Sequence, residues 1–215
     1  MKRKIIAAVL SVTVIMALFS CCQSPPEPAT QLSDKDSLHI KNEFDALEGK
    51  LSEAENATAA KDTDSFSEQL KNSDAEIISY EGAEDILIDS ESISDKTVTV
   101  STAGSVTLAS PVNSLIVKAA ERGFTSKARA ENIILEGNNI TAELKSEAGT
   151  IFIKGKDITL NVRTSAIEKI IAVNVSAKIN NLTDDDIFVT LANGAKITVP
   201  AKHIYSLADN TIQKS

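Results

Sequence analysis

The sequence predicts a mostly-β chain: a parallel β-solenoid of about six coils, with a short acidic helix before it. Three observations predict this. From Asp74 onward, short runs of β-branched and apolar residues recur about every nine positions, separated by Gly, Asn, Asp and Ser. Apolar triplets begin at Leu115, Ile133, Ile151, Ile170 and Phe188, at steps of 18, 18, 19 and 18. Between them runs a second ladder, from Ile86 through Val106, Phe124, Ile140, Ile158 and Ile179 to Ile197. A fixed period of this size marks a chain that coils upon itself. A five-residue strand advances about 17 Å, and the chain then returns one strand spacing, about 4.8 Å, above its start. No single coil can bury its apolar side, so stability must come from stacking. The alternative is an antiparallel β-meander or sandwich. Asn193-Gly194 between two alternating runs is a hairpin signal, and it also fits a solenoid whose last coil folds over as a cap.

The elements follow in order. Residues 1–20, "MKRKIIAAVLSVTVIMALFS", put three positive charges before an apolar run of about 15 residues. That is the layout of a secretory signal, and the run is shorter than the roughly 20 residues that span a bilayer. Residues 21–37 form a tether, stiffened by Pro25, Pro26 and Pro28. Residues 38–73 form the acidic helical segment, in which Phe44, Leu47, Leu51 and Ala54 make one helical stripe and Phe66 with Leu70 starts a second. The solenoid domain is expected over 74–208, with 209–215 as a C-terminal tail. The stretch 119–130, "AAERGFTSKARA", fits the period poorly and is expected to bulge as a loop.

Charge narrows the function classes. The formal net charge is −8. Residues 33–76 alone hold 12 acids against 5 bases. Such a chain repels phosphate backbones, so nucleic acid is not an expected partner.

The two cysteines, Cys21 and Cys22, stand side by side where the apolar run ends. "Leu18-Phe19-Ser20-Cys21" resembles the lipobox of bacterial lipoproteins, departing from it at Phe19. The resemblance implies cleavage before Cys21, a lipid on that residue, and a mature chain held to a membrane in the bacterial cell envelope, outside the cytoplasm. Cys22 is then a second acylation site or a passenger. The alternatives are a retained membrane anchor or a soluble secreted chain with a Cys21–Cys22 pair. "NSLIVKAAERGFTSKARAENIILEGNNITAEL", 113–144, resembles the parallel β-helix segments of bacterial surface proteins. That implies a fold and no activity.

Candidate sites are few. With Ile151 and Ile153 inward, Phe152 would face water beside Lys154 and Lys156. An exposed aromatic next to cations could stack a sugar or meet a protein partner; the alternative is that the helix of 40–54 covers it. His39 and His203 lie far apart in the chain. Asp184-Asp185-Asp186 reads as a solvated loop, because three consecutive carboxylates mostly point apart and do not wrap one calcium ion. No spacing singles out a catalytic pair, and no metal or other cofactor is expected. The expectation is therefore a lipid-anchored envelope protein that presents a β-solenoid as a scaffold or adhesin-like surface without catalysis. The alternatives are an envelope glycan- or partner-binding module and, third, a polysaccharide-degrading enzyme.

Overall fold

The computed structural model describes residues 59–60, 63–72, 74, 76–173 and 176–215, with four earlier positions, Asn42, Asp45, Ala46 and Gly49. The signal-like residues, the tether with Cys21, and most of 38–58 lie outside the described residues.

A short strand β1 (Ala59–Ala60) and helix α1 (Thr63–Asn72) precede the coils. The coils then pair β2 (Ile77–Gly82) with β3 (Ile86–Ile88), β4 (Thr97–Thr102) with β5 (Val106–Leu108), and β6 (Val112–Ala120) with β7 (Phe124–Ser126). They continue with β8 (Ala130–Leu135) and β9 (Thr141–Leu144), β10 (Ala148–Ile153) and β11 (Ile158–Val162), and β12 (Ile167–Ala172) and β13 (Ala177–Asn181). Last come β14 (Ile187–Leu191), β15 (Lys196–Val199), β16 (His203–Ser206) and β17 (Thr211–Lys214). Two sheets result. Sheet A runs β1-β2-β4-β6-β8-β10-β12-β14-β15, and sheet B runs β17-β16-β13-β11-β9-β7-β5-β3. This is a parallel β-solenoid of about six turns. Every pairing from β1 to β14 in sheet A and from β3 to β13 in sheet B is parallel, which excludes the meander and sandwich alternatives.

The core is made of columns. In sheet A, Ile78, Val98, Leu115, Ile133, Ile151, Ile170 and Val189 stack in register, all buried. In sheet B the column is Ile86, Val106, Phe124, Ala142, Leu160 and Ile179. The large Phe124 is seated beside the small Ala142, which keeps the filled volume even from coil to coil. Two expectations shift here. Val189, not Phe188, continues the sheet A column, and Phe188 is 62% exposed. Ala142 and Leu160, not Ile140 and Ile158, align with Phe124. The first shift is of one residue, which exchanges the faces, and adjacent apolar residues do not show which of them points inward; the second is of two residues along the same inward face, where Ile140 and Ile158 are buried as well.

Three boundaries also differ from expectation. The 119–130 stretch is no loop: Phe124–Ser126 is β7, because Phe124 fills an inward position while Arg122, Lys127 and Arg129 stay at the corners. Residues 211–214 are no tail; β17 pairs antiparallel with β16. The folded body also starts before Asp74, since β1 joins sheet A and α1 buries Phe66 and Leu70.

Both ends of the stack are closed. At the start, Phe66 of α1 meets Tyr80 with ring centroids 5.2 Å apart. The last carbonyl of the α1 stripe, Leu70 O, accepts from Ser92 Oγ at 2.7 Å and Ser90 Oγ at 3.3 Å, supplied by a 3-10 turn at Glu91–Ile93. At the far end β14 and β15 form the antiparallel hairpin anticipated at Asn193-Gly194. Gly194 N donates to Leu191 O at 2.8 Å, and Gly194 takes a φ of 83°, a left-handed conformation glycine adopts without strain. The β13–β16–β17 pairings close sheet B in the same antiparallel sense. Parallel edges are thereby covered at one end, where an open edge would invite another chain.

Candidate functional site

The two sheets present different outer faces. On sheet A the outward column Ile116, Ile134, Phe152 and Ile171 forms its own buried cluster, with Ile77 and Val173 packed beside it. Phe152 is only 1% exposed. This corrects the expectation of an aromatic offered to solvent: Phe152 does point outward, but that face is covered. Lys154 is half-buried beside it and Lys156 is exposed at the following corner. Phe152 and Lys154 are both already engaged in contacts. The three residues therefore do not form an open stacking platform. Cys21, the expected lipid attachment point, lies outside the described residues.

Sheet B is the open face. Its outward column runs Leu87, Thr107, Thr125, Glu143, Asn161 and Asn180, one residue from each successive coil. Leu87 is 54% exposed, and the next four are half-exposed. β-Branched Thr suits the wet side of a strand. Asn180 Nδ2 donates to Asn161 Oδ1 at 2.6 Å, so the amides ladder along the stack. A second outward row runs Thr141, Thr159, Lys178 and Ser206. The result is a flat surface of hydroxyl, amide and charged groups at strand spacing.

One ionic cluster sits on it. The Glu143 carboxylate is held by Lys145 Nζ at 2.8 Å and by Arg163 Nε. Hydrogen bonds from Lys145 first, and from Arg163 next, hold its pKa below the usual carboxylate range. A depressed carboxyl pKa gives stability that is present above the unfolded value and lost as pH falls through the folded one. Because the groups are largely solvated, Glu143→Gln is expected to cost less than about 1 kcal/mol at neutral pH. Urea unfolding checks this: the difference from wild type should vanish at a pH below the titration of Glu143.

At the C-terminal end of this face a cleft of about 260 Å³ opens between β11, β13 and the closing strand β16. Asp157, Thr159, Ser176, Lys178, Ser206 and Asp209 line it. Its rim is locally ordered. Ser176 Oγ donates to Asp157 Oδ1 at 2.6 Å, and Ser206 Oγ to Asp209 Oδ2 at 2.9 Å. Asp157 has a φ of 54° and Asn139, one coil earlier, 58°, so the same left-handed corner recurs. Sequence reading missed this cleft, since its residues meet only through coil stacking and the antiparallel return of β16. Asp184, Asp185 and Asp186 are exposed and have separate roles, Asp184 pairing with Lys202 at 3.0 Å and Asp186 accepting from Ala201 N at 3.0 Å. Among the described residues no group of three metal-ligating side chains converges, and no helix is long and apolar enough to cross a membrane.

No family model matches this chain, and no curated protein or solved structure does. The functional reading therefore rests on the residues and the geometry alone.

Proposed function

We propose that this chain is a lipid-anchored protein of the bacterial envelope that presents its β-solenoid as an interaction scaffold, with no catalytic step of its own. The observation that carries the reading is the open outer face of sheet B beside the buried outer face of sheet A. One flat side remains for partners, and it offers regularly spaced Thr, Asn and charged groups to a repeating ligand. The lipobox resemblance at 18–21 supplies the address. A single acyl chain holds a protein to a bilayer only marginally, and each added buried methylene contributes about 0.8 kcal/mol. Firm anchoring thus favours more than one chain, and Cys22 is placed to carry one.

The test is fractionation and protease shaving of cells expressing a C-terminally tagged chain, beside Cys21→Ala. The wild type should stay with membranes and incorporate a fatty-acid label, and Cys21→Ala should lose both. Wild type that stays soluble and unlabelled would remove the anchor from the proposal. Cleavage of the tag on intact cells would place the solenoid outside, as an adhesin-like surface; protection until the envelope is opened would make it an internal scaffold.

A second reading, binding of an envelope glycan, is favoured by the polar cleft at the end of sheet B. It predicts co-sedimentation with purified envelope polysaccharide, lost on Thr159→Arg, a substitution in the lining of that cleft.

A further inference from the structure

We propose that the C-terminal end of the stack is a docking surface for a second copy of this chain, joined tail to tail about a two-fold axis, β15 to β15 and β17 to β17. Four observations lead there.

First, both sheets end level and on bare edges. β12 and β13 belong to one coil, and two strands follow in each sheet, β14 and β15 in sheet A, β16 and β17 in sheet B. Among the described residues β15 pairs only with β14, and β17 only with β16. Thr211, Ile212, Gln213 and Lys214 are all exposed, as are Lys196 and Thr198. The closing hairpins thus cover the parallel edges and present antiparallel edges of their own.

Second, the ladders show which backbone groups point off those edges. Leu191 N donates to Ala195 O at 2.8 Å, and Ser215 N to Lys202 O at 2.9 Å. Hydrogen-bonded and non-hydrogen-bonded pairs alternate along an antiparallel ladder. Counted from those two bonds, Lys196 and Thr198 turn their N–H and C=O away from β14, and Ile212 and Lys214 turn theirs away from β16. Each edge therefore offers donors and acceptors at alternate residues, the pattern another antiparallel strand completes.

Third, the core is unfinished at this end. At the start, α1 buries Phe66 and Leu70. At the far end Ile197 lies opposite Val189, and Ile212 opposite Tyr205, so both side chains face inward. Ile197 is only partly buried, and Ile212 is 45% exposed.

Fourth, the geometry selects the occupant. Packed sheets lie about 10 Å apart, so a lone strand from another protein covers one edge and leaves the other bare. The fitting partner has two antiparallel edges at the same separation, and this chain's own end is one. A two-fold axis perpendicular to the sheets brings both edges to their copies at once and reverses every strand, as antiparallel pairing requires. In the register that sets Ile197 against Ile197 of the second copy, Lys196 meets Thr198, and like charges are not opposed. An isologous contact of this kind closes at two copies. The end face is small, so the dimer is weak and concentration-dependent. The open outer faces of sheet B on the two copies then join into one longer surface.

The test is sedimentation equilibrium of the full-length protein with detergent micelles in excess, beside Thr198→Pro/Ile212→Pro. At both positions proline removes a donor that points away from the ladder, so the hairpins keep their own bonds. The wild type should pass from one protomer to two as its concentration rises, and the variant should stay at one. Wild type that stays single at every concentration, a series of larger species, or a dimer that persists in the variant overturns the proposal. Circular dichroism checks that the variant keeps its strands. If it does not, amide exchange of the wild type decides. The amides of Lys196, Thr198, Ile212 and Lys214 should exchange several-fold more slowly at high protein concentration than at low, and rates independent of concentration overturn the proposal.

Discussion

Gly155→Ala is expected to lower the melting temperature more than any other single-methyl addition in the coils. Gly155 is fully buried, and a Cβ built on it would lie inside contact distance of the Gly137 carbonyl oxygen on the coil below. Gly137 is equally confined, by the Lys118 carbonyl oxygen. The obstacle is backbone in both cases, so no rotamer change relieves it. Parallel coils are held by hydrogen bonds at fixed spacing, such as Gly155 N to Leu135 O at 3.1 Å, and moving one corner disturbs its neighbours. Overpacking of this kind costs about 3 kcal/mol. For a domain of this size that is a fall of roughly 6–12 °C. Asn139→Gly, at an exposed left-handed corner one coil below, should change stability by less than about 0.5 kcal/mol. Thermal unfolding followed by circular dichroism compares the two. Equal effects would mean that the corner yields and the steric argument fails.

Asn181→Asp is the second large effect. Asn181 is fully buried at the end of β13, on the inward face of sheet B beside Val162 of the preceding coil. Its Nδ2 donates to Asp185 O at 2.8 Å, Val199 O at 2.9 Å and Pro200 O at 3.0 Å. Its Oδ1 accepts from Thr183 Oγ1 at 2.7 Å and Thr183 N at 3.1 Å. One side chain thus ties the β13–β14 corner to the end of β15. Aspartate would set a carboxylate against three carbonyls, and an uncompensated buried charge costs about 3–5 kcal/mol. The protonated acid recovers one donor, so the introduced carboxyl should titrate above its usual range. Its neutral form is then the stable one, and the penalty should shrink as pH falls through that raised pKa. Urea unfolding of wild type and variant across pH measures the gap. A gap independent of pH would mean that the charge is not what disrupts the corner. Loss of this tie should also release the antiparallel cap and leave parallel edges open to association.

The solenoid was legible because its period is written in residue type. Ile, Val and Leu at steps near 18 specify stacked columns whichever way each strand is drawn. Register was less legible. Phe188 and Val189 are both apolar and adjacent, and only the hydrogen-bond ladder shows that Val189 points inward. Likewise Ala142 is too small to announce itself beside Ile140, although it completes the Phe124 column. Alternation shows Phe152 as outward, and it leaves open whether that face is wet or covered, because the cover of a sheet face is a long-range property that no strand encodes alone. The cleft between β11, β13 and β16 had no local signal at all. Its lining residues come together only when β16 doubles back on β13.

The parallel stacking described above also sets how the body would bear tension. Among the described residues, no single element clasps the stack along its length, and the strands of each coil pair only with those of the coils beside it. Once an end closure yields, the stack can pay out one coil at a time. Eighteen residues drawn straight reach about 60 Å, so each step would lengthen the molecule by roughly that much. Under an optical trap the body should therefore show a staircase of similar rungs, a shock absorber between surface and load, in place of one abrupt rupture.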